Sequence, residues 1–447
     1  MDLTAAVRSP GYLKLLVLAA LLGIPISLAA LAFLALIHWA EHAVWYDIPE
    51  AVGSQTAPWW LLLAVPLLGG VLVALATRLP GHGGHRPLDG FGGGPTKGSY
   101  LPSILIAAAV SLTAGAVLGP EAPLIALGSG LAAIAGARAA RSNPTASQLL
   151  ALSGAFAAVS TIFGNPLAAA ILLVEAIGLG GAVLTVALLP GLVSAGVGYL
   201  VYTGVGDLTG VQTPTLAVPI LPPGGALTVG DIGWAVVVGI VGAVLMVAVR
   251  RAAARLDAVT SRVSPLLALP VAGLVVGACA VAFVAATGGD GRDVLFSGQT
   301  SLGPLAASGS TAALGVLTML VVLKAVAYAV SLGSGFRGGP IFPAMFLGAA
   351  LGLIAGRILP GMSPLAGFAA GMAAATAAMM RLPLASLLLV ALLVGSAALQ
   401  VAPVVIIAVV VATVVRAYTD ASDPVALAPD SDLQKQESPA AAAAGHA

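Results

Sequence analysis

Gly119-Pro120-Glu121-Ala122-Pro123, running into the apolar stretch Leu124 to Gly136, decides how this chain is read. It sets one carboxylate at the mouth of a helix inside a hydrophobic region. A charged side chain at bilayer depth costs roughly 2.5–3.5 kcal/mol on insertion scales, so such a residue marks function by default. The stretch recurs without a gap as Gly339-Pro340-Ile341-Phe342-Pro343, followed by Ala344 to Gly356. Gly119, Pro120, Pro123, Leu127, Gly128, Leu131, Ile134, Ala135 and Gly136 match Gly339, Pro340, Pro343, Leu347, Gly348, Leu351, Ile354, Ala355 and Gly356. Ile341 stands in the second copy where Glu121 stands in the first. A second block extends the match, pairing Gly154, Ala157, Ala158, Pro166, Leu167, Ala168 and Leu172 with Gly371, Ala374, Ala375, Pro383, Leu384, Ala385 and Leu389. Two collinear blocks with matched prolines make the chain a tandem duplication with halves of about 200 residues. Repeated halves with Gly/Pro-broken helices at corresponding positions are a transporter signature, and they put the binding site between the repeats.

Composition sets the surroundings. Of 447 residues, 59% are hydrophobic and only 8% charged, with mean hydropathy +1.07. A soluble domain carries about 25% charged residues. Apolar runs of about 20 residues recur where barrel strands would alternate, so the chain reads as an all-α polytopic membrane protein. The 56 glycines and 30 prolines point to broken and tightly crossing helices. A net charge of +1 argues against nucleic acid as a partner. The single Cys279 excludes a disulfide framework and a cysteine metal site.

The run Tyr12 to Leu36 is too long for a leader and reads as the first membrane helix. Arg8 and Lys14 at its start place the N-terminus in the cytoplasm. His38 to Thr56 reads as a polar connection in which Trp45 and Tyr46, with Trp59 and Trp60 beyond it, act as interfacial anchors. Residues 1–206 form the first membrane repeat, 207–230 a Pro/Gly-rich linker, and 231–418 the second repeat. Residues 419–447 read as a disordered cytoplasmic tail. Both termini are then cytoplasmic, and the membrane is the plasma (inner) membrane.

Proline favours the first turn of a helix, where its missing N–H costs nothing. Pro120 and Pro123 therefore predict a helix start near Glu121, and Pro340 and Pro343 one near Ile341. Free N–H groups and the dipole at a helix N-terminus attract anions. Two such starts converging from duplicated halves would build an anion site from backbone alone. Glu121 then reads as a tethered anion, docked when ionised and released when protonated; its bland alternative is a first-turn helix cap. Glu175, at the end of an apolar helix, reads either as a side chain snorkelling to water or as a proton relay. Arg337, just before the second helix start, reads as raising local anion concentration, against simple snorkelling. His82 and His85 lie in a Gly-rich loop with no third ligand nearby, so they read as loop polar residues, and no metal or other cofactor is expected. Gly92 to Lys97 lacks phosphate-loop spacing. No nucleophile–base arrangement stands out, which argues against an enzyme.

These motifs resemble those of the CLC chloride channel and transporter family. Gly119 to Pro123 resembles its G-R-E-G-P motif, whose glutamate is the outer gate. Gly339 to Pro343 resembles G-x-F-x-P, and Gly83-Gly84-His85-Arg86-Pro87 sits where G-S-G-I-P is expected. Asn165-Pro166-Leu167-Ala168 through Glu175 resembles the helix that leads to an inner glutamate. The resemblance covers about Leu15 to Ala426. It implies a fold of inverted-repeat halves with tilted, broken helices, a homodimer, and chloride or a similar small anion as cargo, moved passively or against protons. It assigns gating to Glu121, anion contacts to Gly84, His85, Gly119, Ala122, Gly339, Ile341 and Phe342, and a proton path to Glu175. This chain departs from the motifs. Pro120 replaces the motif arginine and Ala122 the following glycine, Gly84 falls at the anion-binding serine, and Pro340 has no N–H to offer. The inner tyrosine would fall near Val425 or Ala426, and the inner glutamate at Ala176. Weak anion binding at the central site is the expectation. The rival reading is a cation–proton antiporter using Glu121 and Glu175 as ligands.

Overall fold

The computed structural model describes residues 7–90, 95–139, 144–178, 181–209, 227–309 and 311–421. Most of the expected linker, the tail beyond Ala421 and the position of the missing inner tyrosine lie outside these residues. The fold is helical, and its membrane character is plain. Among the described residues, nine helical stretches are long and apolar enough to cross a membrane.

The first repeat contains α1 (Pro10–His42), α2 (Trp59–Ala76), α3 (Leu101–Thr113), α4 (Glu121–Ala139), α5 (Pro144–Phe163), α6 (Pro166–Ile177) and α7 (Gly181–Thr209). The second contains α8 (Val229–Thr260), α9 (Pro265–Thr287), α10 (Leu302–Ser308), α11 (Leu314–Gly333), α12 (Ile341–Ile358), α13 (Pro364–Met380), α14 (Pro383–Val394) and α15 (Ala398–Ala421). The run α3 to α6 is the counterpart of α11 to α14. Several of these helices, α6 among them at 12 residues, are too short to cross a bilayer alone.

Local chemistry sets the breaks. Gly164 at φ +56° ends α5, and Asn165 then caps α6, its side-chain oxygen accepting from the N–H groups of Leu167 and Ala168 at 2.9 and 3.0 Å. In the second repeat Arg381, at φ +58°, ends α13 and Pro383 opens α14. A capping box between Thr228 and Asp231 starts α8.

Helices in a membrane gain little from hydrophobic burial against one another, so close approach of small residues holds them together. The crossing of α4 on α5 shows this. A Cβ on Gly128 would land on the Gly154 carbonyl oxygen, and one on Gly154 on the Gly128 carbonyl oxygen. The crossing of α12 on α13 repeats it with Gly348 and Gly371, the matched residues of the second half. Both crossings need glycine on both sides, which is why the repeat preserves the two pairs.

One local expectation fails. The segment after α1 is not a polar connection: it stays helical through a π-turn over Ala43–Asp47 and a last turn over Ile48–Ala51. The extra residue per turn rotates Trp45 inward. Trp45 is fully buried, its Nε1 donates to the Thr113 carbonyl at 2.7 Å, and its ring meets Phe296 edge-on. It is a core residue rather than an interfacial anchor. Trp59, Trp60 and Tyr46 remain exposed. A second buried group, Lys324 on α11, was not singled out by sequence. Its Nζ donates to the carbonyls of Asp293, Val294 and Leu295, and it lies over the Phe346 ring.

Candidate anion site between the repeats

The two repeat starts meet directly. Gly119 and Gly339 form an antiparallel bridge, with the Gly119 N–H donating to the Gly339 carbonyl at 2.7 Å and the Gly339 N–H to the Gly119 carbonyl at 2.5 Å. Two further bonds cross between the halves and obey the same spacing of 220 positions. The Val117 N–H donates to Ser331 Oγ, and the Arg337 N–H donates to Ser111 Oγ, each at 3.0 Å. The arrangement is reciprocal: each helix preceding a start lends its serine to the strand-like approach of the other half. Gly115 and Gly335, at φ +88° and +100°, turn the two approaches in the same way. Carrying the gapless alignment upstream of Gly119 would have found Ser111, Ser331, Gly115 and Gly335.

Glu121 is the first residue of α4 and is fully buried. Its side chain reaches beyond its own helix end. It crosses to the other repeat, where Oε1 accepts from the Phe342 N–H in the first turn of α12 at 3.1 Å. Oε2 is buried and has no hydrogen-bond partner among the described residues. That oxygen lies over the two bridging glycines. A Cβ on either Gly119 or Gly339 would fall on it. The carboxylate therefore occupies a cradle made of a helix N-terminus and two side-chain-free Cα atoms. A negative charge there meets the positive end of the α12 dipole and backbone N–H donors, with no basic side chain bonded to it.

The neighbours of the cradle are apolar and buried. Ile341 and Phe342 are fully buried, and the Phe342 ring packs on Phe163 with centroids 5.7 Å apart. Pro340 offers no N–H, but its carbonyl accepts from the buried Tyr328 hydroxyl at 2.7 Å, which fixes the approach to α12.

The other residues singled out by sequence fall in two further places. Gly83, His85 and Ala122 line a cavity of about 30 Å³ beside the first turn of α4, with Arg337 on its wall. Gly84, at φ +80°, lies in the same loop against Ile104. Glu175 is not brought to Glu121. Its Oε1 and Oε2 accept from the N–H groups of Leu384 and Ala385 at 3.0 and 2.7 Å, capping α14 of the other repeat. Thus Glu121 and Glu175, the two acids between Asp89 and Asp207, both sit on helix N-termini of the second repeat. Among the described residues no His/Cys/Asp/Glu group has the arrangement of a metal site.

The sequence pattern describing the voltage gated chloride channel family matches residues 88–417, most of the chain. The chain belongs to the CLC family. Within it, the chain is 31% identical over 361 residues to the Escherichia coli (strain SMS-3-5 / SECEC) protein named "Putative ion-transport protein YfeO", covering 79% of this chain and 82% of the relative. The YfeO protein of Escherichia fergusonii is similar to the same degree. Among solved structures, the CLC fold is shared with a slow cyanobacterial Cl⁻/H⁺ antiporter, at TM-score 0.73 and 19% identity over 91% of this chain and 95% of that one. A CLC-type fluoride/proton antiporter superposes with TM-score 0.69 at 18% identity, over 90% of this chain and 94% of that one.

Proposed function

We propose that this CLC protein carries small monovalent anions, chloride first among them, along a path through the cradle between its repeats, and that Glu121 is the gate. The observation that carries this is the Glu121 carboxylate seated on the N-terminus of α12, with Oε2 resting on two glycines and bonded to nothing. The carboxylate holds the place an anion would take. When ionised it is drawn to the α12 N–H groups and dipole and closes the path. When protonated it loses that attraction and leaves the cradle to a free anion. A site made of partial charges releases its ion as readily as it binds it, which conduction needs.

The solved relatives named as chloride/proton and fluoride/proton antiporters support an anionic cargo and leave the choice of ion to experiment. Coupling to protons needs a second titratable group on the path. Glu175 is the residue nearest to that role in the chain, yet both its oxygens are engaged in capping α14. We therefore read the protein as an anion pathway gated by Glu121 in which proton movement is not obligatory. Both termini are read as cytoplasmic, in a homodimer in the inner membrane. The cation–proton antiporter reading fares worse, because both carboxylates face backbone N–H donors, which repel cations. Chloride release from liposomes holding the purified protein tests the proposal. Release that stops when an impermeant anion replaces chloride supports it, and flux that is indifferent to the anion refutes it.

A further inference from the structure

Lys324, Tyr328 and Ser331 stand on one face of α11, spaced i, i+4 and i+7, and each is fully buried. Their counterparts on α3, at the spacing of 220 positions, are Ile104, Ala108 and Ser111. The duplication therefore accounts for the serine, while the lysine and the tyrosine belong to the second repeat alone. Polar groups at bilayer depth are expensive unless bonded, so the partners of this face point to its role.

Those partners are the two sides of the gate contact. Ser331 Oγ accepts from the Val117 N–H at 3.0 Å, on the segment that leads through the Gly119 bridge to Glu121. Lys324 Nζ, donating to the carbonyls of Asp293, Val294 and Leu295, fixes the loop whose next residue, Phe296, donates its N–H to the Gly115 carbonyl at 3.3 Å. Gly115, at φ +88°, is the turn from which the same segment starts. Both grips therefore fall on the segment that delivers the gate. Tyr328 grips the other side. Its hydroxyl donates to the Pro340 carbonyl at 2.7 Å, two residues before Phe342, whose N–H donates to Glu121 Oε1. One helix face thus holds the gate segment and the cradle within a turn of each other.

We infer that Tyr328 and Ser331 are positioning residues of the gate, a brace on α11 that sets where the Glu121 carboxylate meets the start of α12 and hence the pH at which it lets go. The inference rests on the proposed role of Glu121 and adds residues that act through it. The Glu121–Phe342 bond joins segments 221 positions apart. Without a brace, docking would have to order the two segments against each other each time the gate closed. With α11 holding both, that order is already present in the fold. Weakening either grip then lowers the docked fraction of an ionised gate, while the released gate does not depend on the register. Neutral hydroxyls supply the two grips nearest the contact without adding a charge that competes for the carboxylate. The charged groups that act on the Tyr328 hydroxyl are Glu121 and Arg250, and Asp293 acts on Lys324. From the helices packed around Glu121, Tyr328 is the titratable side chain that faces it among the described residues.

Chloride efflux from liposomes carrying the full chain, followed from neutral to acid pH, tests the brace, with thermal unfolding in detergent measured alongside. Tyr328→Phe keeps the ring and its packing and loses only the bond to Pro340. Ser331→Ala leaves the Val117 N–H without its acceptor. A net hydrogen bond is worth a factor of roughly two to ten in an equilibrium, so a grip used fully in the docked state moves the pH of half-maximal efflux by about 0.3–1 unit. The shift is upward in both variants, because a carboxylate docked less firmly takes up its proton at higher pH. Ser331→Thr, which keeps the hydroxyl, is expected to hold the wild-type midpoint. A lower unfolding temperature with a wild-type midpoint in Tyr328→Phe or Ser331→Ala makes that side chain structural only and overturns the inference, as does a midpoint that moves down. Tyr328→Phe carries the test where Ser331→Ala does not fold. A pH-dependent wild type with unmoved variants removes the brace and leaves the Glu121 gate in place, whereas wild-type efflux without pH dependence removes the gate and the brace with it.

Discussion

Replacing Glu121 with glutamine is the perturbation whose size follows most directly from the geometry. Glutamine keeps the shape, so its oxygen still reaches the Phe342 N–H. What it loses is charge. A charge-assisted bond is about twice as strong as a neutral one, which removes about 0.75–1.5 kcal/mol of a 1.5–3 kcal/mol interaction. The attraction to the α12 dipole adds up to about 2 kcal/mol in a buried setting. Together these lower the preference for the docked gate by about 0.75–3.5 kcal/mol, a shift of roughly four- to four-hundredfold in the docked-to-released ratio. Glutamine also places an amide group where Oε2 now rests on Gly119 and Gly339, which favours release further. Chloride efflux from liposomes, followed from neutral to acid pH, reads this out. Wild-type efflux is expected to rise as pH falls, because protonation frees the gate. The mutant is expected to run at or above the acid wild-type rate at every pH, with a flat profile. Mutant efflux that keeps the wild-type pH dependence refutes the gate.

The remaining predictions concern the frame around the gate. Gly348→Ala puts a methyl group onto the Gly371 carbonyl oxygen and forces α12 from α13. It is expected to destabilise the protein by about 1–3 kcal/mol, seen as earlier thermal unfolding in detergent. Glu175→Ala strips two acceptors from the start of α14 and is expected to cost about 1–2 kcal/mol, discounted for the partial exposure of the site. Unchanged stability with altered proton uptake would instead make Glu175 a relay. Lys324→Met leaves the carbonyls of Asp293, Val294 and Leu295 without their shared donor and is expected to destabilise by about 3 kcal/mol, again by thermal unfolding.

Much of the frame is written locally. The helix starts at Glu121 and Ile341, the breaks at Gly164-Asn165-Pro166 and Arg381 to Pro383, and the paired glycines 128/154 and 348/371 all follow from short-range rules about proline, glycine and caps. The duplication is visible because it is a property of the letters themselves. What the pattern does not carry is where a side chain goes after leaving its own helix. Glu121 reads as a tethered anion, with a cap of α4 as the alternative, and neither reading names the helix end that receives it. Only its contact with Phe342, 221 positions away, shows which helix end it reaches. Glu175 has the same ambiguity, and its partners lie 209 and 210 positions off. Trp45 was misplaced for a different reason. A π-turn shifts the helical phase by a residue, and no composition rule signals it. Arg337 was legible as a charge near the second start, but not as a donor to the His82 carbonyl, because that depends on a loop more than 250 positions earlier.

What crosses the membrane decides between an anion pathway and a cation exchanger. Chloride and proton electrodes, read together on liposomes carrying the purified protein under an outward chloride gradient with potassium permeability supplied, measure it in one trace. An anion pathway gated by Glu121 gives chloride release that quickens as the pH falls and stops when an impermeant anion replaces chloride, without a fixed proton stoichiometry. A trace with no chloride release, in which protons move only against a cation, would contradict it.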